Sequence, residues 1–161
     1  MIPPLSAVGR PSSVVRRKPK TCPLSNDSSP WQNRKANMAF KFENLEVWRL
    51  SLEYCDNIYN IADLLPGKEE YNLKTQMRKA VTSICLNIAE GSTSQSDAEF
   101  SRFLGFSIRS CIEVIGCLHL AKRRGYINEK VFTEVYEFGA KMFAKLQALR
   151  KKLKQSVVGR P

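Results

Sequence analysis

The side chains that could do chemistry in this sequence are few, and their spacing excludes most catalytic and metal sites. Its single histidine, His119, lies between Leu118 and Leu120, so a site needing two imidazoles has no second ligand. Five cysteines, Cys22, Cys55, Cys85, Cys111 and Cys117, are an odd set without a C-x-x-C pair, which argues against structural zinc and for reduced thiols packed as small apolar residues. Phosphate-loop, nucleophile-elbow and H-E-x-x-H patterns do not occur, nor do the Glu-x-x-His repeats of di-metal bundles. Glu90 lies three residues from Asn87, but no nucleophile or matched acid accompanies it. The expectation is a protein that is not an enzyme and has no cofactor and no metal.

Charge is the stronger signal. Twenty-six Lys and Arg oppose fifteen Asp and Glu, a net charge of +11 over 161 residues. Seven of those bases and one of the acids lie in residues 1–37, which leaves nineteen against fourteen on residues 38–161. A moderately basic folded part favours polyanionic partners, nucleic acid before membrane. The bases group at same-face helical spacing: Lys74 with Arg78, Arg102 with Arg109, and Lys141 with Lys145 and Lys152, beside a corner of Lys122, Arg123 and Arg124. These ten residues are the candidate nucleic-acid contacts. With no visible carrier of base readout, the expected recognition is of shape and phosphate.

Two further stripes carry small polar groups. Gln76, Ala80, Ser83, Asn87 and Glu90 step by four and three, and Ser107, Ser110, Val114, Cys117 and Ala121 do much the same. A solvated face would carry Lys and Glu in its middle, so these stripes predict close contact with another helix or with another copy of the chain. Taken as two extra faces, Gln76, Ser83, Asn87, Glu90, Ser107 and Ser110 suggest an oligomer. Glu90 near a helix C-terminus also calls for a compensating cation, with Arg78, Arg102 and Arg109 as candidates, or for a backbone donor.

The elements that hold these residues are helices. Leu45, Trp48, Leu52, Cys55, Tyr59 and Ala62 predict a first, ended by Pro66-Gly67. Leu73, Met77, Val81, Ile84 and Ile88 predict a second, closed by Gly91 as a left-handed cap. Ser96 and Glu99 form a capping box for a third helix with seam Phe100, Leu104, Ile108, Cys111, Ile115 and Leu118, stopped at Gly125. Asn128 caps a fourth with seam Val131, Val135, Phe138, Met142, Leu146, Leu149 and Leu153. No segment alternates as a strand does. Four long helices with short connections predict an all-α, antiparallel up-down-up-down four-helix bundle over residues 38–155, followed by a flexible tail at 156–161. Six Pro and six Ser in residues 1–37, without apolar periodicity, predict a disordered basic N-terminal extension. Met38 is then a candidate biological start, and an organellar transit peptide is the competing reading of the extension. Charges interrupt the apolar runs, so no membrane association is expected. The reduced cysteines point to a cytoplasmic protein.

The segment FENLEVWRLSLEYCDNIYNIADLLPGKEEYNLKTQMRKAVTSICLNIAEG (42–91), followed by SDAEFSRFLGFSIRSCIEVIGCL (96–118), resembles the 23S rRNA-intervening sequence protein family, also called four helix bundle proteins. The likeness rests on the Leu-Glu-Val-Trp opening, Gln76-Met77-Arg78-Lys79-Ala80, Asn87-Ile88-Ala89-Glu90-Gly91, Phe100-x-x-Phe103-Leu104 and the Gly125-Tyr126-Ile127 corner. It spans residue 40 to about 153. The resemblance implies a bacterial bundle protein that assembles as a ring-shaped homopentamer, encoded in insertions within the large ribosomal RNA gene. It also implies kinship with accessory proteins of diversity-generating retroelements, which bind nucleic acid and a reverse transcriptase. No catalytic residue comes with it. The sequence therefore points to an oligomeric bundle that binds structured RNA or other nucleic acid, with a scaffold for a reverse transcriptase as the alternative.

Overall fold

The computed structural model describes residues 40–158, so the expectations for residues 1–37 lie outside the described residues. A single 3₁₀ turn at Lys41–Asn44 leads into α1 (Glu46–Leu64), and a second at Gly67–Glu69 leads into α2 (Leu73–Ser92), α3 (Asp97–Arg123) and α4 (Glu129–Val158). Among the described residues there is no strand. Helix α4 runs through Ser156 to Val158, so the first half of the expected tail is helical.

Cross-helix partners fix the topology. Between α2 and α3, Gln76 meets Glu113, Ser83 meets Ser110, and Ser107 reaches Ile84. One number falls as the other rises, as antiparallel helices require. The same inversion links α3 to α4 (Cys111 with Gly139, Ser101 with Arg150) and α1 to α2 (Ser51 with Cys85, Asp63 with Arg78). Helix α1 meets α4 through Glu46 with Lys145 and through stacked Tyr54 and Phe138 rings. The backbone of each helix lies close to those of its two neighbours, and the diagonal pairs are separated by the core side chains. This is the expected up-down-up-down bundle, its core filled by Tyr54, Ile58, Met77, Ile84, Ile88, Leu104, Leu118, Met142 and Leu146.

Local chemistry explains most boundaries. Leu65 is extended ahead of Pro66, whose ring disfavours a helical predecessor and stops α1. The Ser96 hydroxyl accepts the Glu99 N–H at 3.2 Å to start α3, and Asn128 Oδ1 accepts the Val131 N–H at 2.9 Å to start α4. Of the expected capping box the hydroxyl half is present. At the end of α3, Gly125 has φ of 72°, its N–H bonds to the Lys122 carbonyl and the Tyr126 N–H bonds to that of Ala121. That pair of bonds is a Schellman motif, which needs a left-handed residue at this position.

Two expectations fail. The predicted α1 stripe is rotated: Leu52 and Tyr59 are exposed, while Val47, Leu50, Tyr54, Ile58 and Ile61 are buried. Both sets step by three and four, so periodicity alone does not choose between them. Gly91 is not a left-handed cap but lies inside α2, where a Cβ would stand 2.6 Å from the Cβ of Phe103 and 2.7 Å from the ring of Phe100. Its role is to let α3 approach.

Helix α3 is long and apolar enough, with a mean hydropathy of 1.4 over 18 residues, to cross a membrane by length and composition. Leu104, Ile108, Cys111, Val114 and Leu118 account for much of that hydropathy, and all are buried within the bundle.

Candidate nucleic-acid interface

The ten expected nucleic-acid contacts divide by what surrounds them. Lys74 is buried and its Nζ donates to Glu70 Oε2 at 3.1 Å. Arg78 is held by Asp63 at 2.6 Å and by Glu70 at 2.9 Å. Lys122 pairs with Glu129 at 2.8 Å and lies 4.2 Å from the centroid of Phe132. Lys145 pairs with Glu46 at 2.9 Å. The pairing shows in the acids as well: the Glu70 carboxyl is held below its usual range by Lys74 and Arg78, and that of Glu46 by Lys145. At these four cations a phosphate would have to compete with a carboxylate already in place. The sequence hides two of these pairs, since Asp63 lies fifteen positions from Arg78 and Glu46 almost a hundred from Lys145, whereas Glu70 is only four positions before Lys74.

The other six, Arg102, Arg109, Arg123, Arg124, Lys141 and Lys152, are exposed and form no ion pair among the described residues. They do not make one patch. Arg123 and Arg124 stand at the far end of α3, twenty-one residues or about 30 Å from Arg102. Lys141 flanks Phe138, and Lys152 shares with Lys145 a hollow on the α1–α4 flank. Arg102 and Arg109 face the α3–α4 side, where α4 supplies two bases absent from the expected set.

Those two are Arg150 and Lys154. Together with Arg102 and Arg109 they line a cleft of about 500 Å³ that also includes Gly105, Phe106 and Ser101, and no lining residue is acidic. Arg150 Nε donates to the Ser101 carbonyl at 3.2 Å, which ties its guanidinium to α3. Gly105 makes room, since a Cβ there would contact Arg150 Nη2 at 3.3 Å. Phe106 lies one turn from Arg102 and from Arg109, with their guanidinium carbons 5.7 and 6.0 Å from its ring centroid. The signal for Arg150 was available: from Phe138 to Val158, α4 carries six bases and no acid. A run of one sign on one helix shows both flanks only when the neighbouring helix is placed beside it.

Of the residues expected to mark an oligomer face, Ser83, Ser107 and Ser110 bond between α2 and α3, and Gln76 and Glu90 are exposed. Ser83 Oγ accepts from Ser110 at 3.0 Å and from Asn87 Nδ2 at 3.0 Å. Asn87 also donates to the Ser83 carbonyl at 2.7 Å, and Ser107, fully buried, donates to the Ile84 carbonyl at 3.1 Å. Gln76 donates to Glu113. The stripes meet each other through these bonds, as the helix-contact reading expects, while Ser83, Asn87 and Glu90 also border an open hollow with Tyr59 and Leu86 on the other flank of α2. Glu90 is exposed and forms no ion pair among the described residues; Arg78, expected beside it, is turned to Asp63 and Glu70.

The other chemistry-bearing groups are packed. Cys85, Cys111 and Cys117 are buried and unbridged, and Cys55 is half-buried. Burial pushes the Cys55 and Cys111 thiols up to about 11 and raises those of Cys85 and Cys117, so thiolate is scarce at neutral pH. His119 is exposed, with its ring edge-on to Phe132 at 5.0 Å. Among the described residues no three His, Cys, Asp or Glu side chains gather where a metal could bind.

The fold and its acid-free cleft can be set beside known proteins. Residues 43–148 match the family described as 23S rRNA-intervening sequence protein. A solved structure from Bacteroides thetaiotaomicron, described as a protein with unknown function from the S23 ribosomal protein family, is similar. It is 25% identical with a TM-score of 0.61, and the match covers 65% of this chain and 95% of that one. No curated protein matches. With two thirds of its length matched and the same helical fold, the chain belongs to the 23S rRNA-intervening sequence protein family.

Proposed function

We propose that this protein is a non-enzymatic bundle that binds structured RNA, or another nucleic acid, by its phosphates through the α3–α4 cleft. One observation carries the reading: Arg102, Arg109, Arg150 and Lys154 converge on a cleft with no acidic lining. Phosphate binding by such cations gains from counterion release and falls steeply with salt. Assembly into a ring, which the family resemblance implies as a homopentamer, would repeat the cleft around an axis and turn one patch into a band. A cytoplasmic location is part of the same reading.

The test is binding of the full chain to a structured RNA over a salt series. Arg102→Glu with Arg109→Glu should weaken binding by about a hundredfold, whereas Lys141→Glu with Lys152→Glu changes the net charge equally and should cost far less. Equal losses from the two pairs would reduce the effect to net charge and sink the cleft.

A second reading has its own support. Ile112, Leu120 and Tyr136 are exposed, and Ile112 and Tyr136 border an apolar hollow of about 210 Å³ between α3 and α4. That surface favours a protein partner, either another copy of the chain or an enzyme such as a reverse transcriptase for which this bundle acts as scaffold. Light scattering near five chain masses supports the ring, and a strict monomer removes it.

A further inference from the structure

Phosphate recognition needs cations and nothing aromatic, yet a phenyl ring, that of Phe106, lines the cleft among them. Phe106 is 36% exposed on a helix whose core is filled by other residues. It is also held in place: Phe103 meets it edge-on at 6.1 Å and 85°, and Arg102 and Arg109 bracket it along the helix axis. At 5.7 and 6.0 Å the guanidinium groups lie over the ring at the outer limit of cation–π contact, so a base stacking on Phe106 would displace one of these weak contacts. Arg102 and Arg109 are seven residues apart, about 10 Å along α3, with Phe106 between them. Across the cleft, Arg150 is fixed by the Ser101 carbonyl with one N–H of its five, and Lys154 follows one turn later on α4.

An aromatic face flanked by cations along one line has a specific complement. In a duplex the base faces are stacked on one another and cannot reach a protein ring, so Phe106 would contribute nothing to binding one. In a single strand each base has a free face, and stacking on an aromatic side chain adds to phosphate contacts on either side. We propose that the α3–α4 cleft binds unpaired nucleotides, with a base on Phe106 and the adjoining phosphates on Arg102, Arg109, Arg150 and Lys154. The target is then a loop, a bulge or a single-stranded end rather than a helical stem. Because every base has a stacking face, the contact is tolerant of sequence. This inference rests on the phosphate reading of the same cleft and deepens it.

The experiment uses the full chain and two labelled probes of about twenty nucleotides, an oligouridylate and a blunt RNA duplex, at one salt concentration. The oligouridylate is expected to bind about tenfold more tightly, and Phe106→Leu, which keeps apolar bulk but removes the aromatic face, to lose about tenfold on the oligouridylate and nothing on the duplex. An unchanged melting temperature for Phe106→Leu confirms that the fold is intact, as expected for an exposed side chain. Equal binding of both probes, or no loss in Phe106→Leu, overturns the single-strand inference; the phosphate reading survives if Arg102→Glu with Arg109→Glu still weakens binding by about a hundredfold. Failure of both probes to bind overturns both readings. Binding to anionic lipid vesicles that competes with the oligouridylate and is equally lost in Phe106→Leu would overturn it in favour of a membrane surface.

Discussion

Helix α3 is flanked by two seams that differ in what happens to their polar groups. Toward α2, the serines and amides are consumed: Ser107, Ser110, Ser83 and Asn87 bond across or along the interface, and Gly91 lets the helices close. Toward the C-terminal half of α4, polar groups of one sign gather without acidic partners among the described residues, with Arg150 tied to a backbone carbonyl. One seam joins two helices through its polar groups, and the other leaves its cations unpaired among the described residues, which is the basis of the proposed phosphate contacts. The difference shows that polar residues at helical spacing can mean closure or function, and that the presence of partners decides which.

The comparison is broken most severely at Gly91. Gly91→Val forces a branched side chain toward Phe100 and Phe103 and is expected to destabilise the bundle by about 3 kcal/mol, read as a fall in the denaturation midpoint. Ser107→Ala removes one buried hydrogen bond while leaving the Ile84 carbonyl in its helical bond, and should cost about 1 kcal/mol by the same measurement. On the other seam Arg109→Gln should change stability by less than about 0.5 kcal/mol, because no ion pair is lost, while weakening RNA binding measurably. A stability loss there equal to that of Ser107→Ala would erase the distinction.

The smallest effect sharpens the contrast through pH. Folding holds the Glu70 carboxyl below its usual range, chiefly through Lys74 and then Arg78, and the Glu69 carboxyl chiefly through the Tyr126 hydroxyl. A carboxyl lowered in the folded state contributes stability above its unfolded value, and that contribution is lost as pH falls through the folded one. Melting temperature should therefore drop below the ordinary carboxylate range, and Lys74→Met should shallow that drop. Arg102→Gln, which faces no carboxylate, should leave the profile unchanged.

Much of this was legible in the chain. The expected apolar seam of α2 is buried throughout, those of α3 and α4 are buried or half-buried with Phe132 added to the α4 core, and the Asn128 cap and the Gly125 stop follow from residue chemistry. The α1 face was not, because two apolar stripes coexist there and only the neighbours decide which is buried. The small polar stripes announced close contact, but whether with another helix or another molecule depends on what lies opposite. For the basic residues, sequence supplied the cations and hid some of their acids. Lys145 looks as free as Arg102 until Glu46 is placed beside it, whereas the Glu70 partner of Lys74 lies at i,i+4 spacing in the sequence itself. Arg150 was passed over for the converse reason, since its value comes from Gly105 and Ser101 on a different helix.

The most direct test of the central claim is the slope of log affinity against log salt for a structured RNA, in wild type and in Arg102→Gln with Arg109→Gln and Arg150→Gln. Each phosphate contact contributes roughly 0.7 to 0.9 to that slope, so loss of three cleft cations should reduce it by about two. An unchanged slope would mean that the phosphates are met elsewhere on the chain, and would contradict the assignment of the α3–α4 cleft.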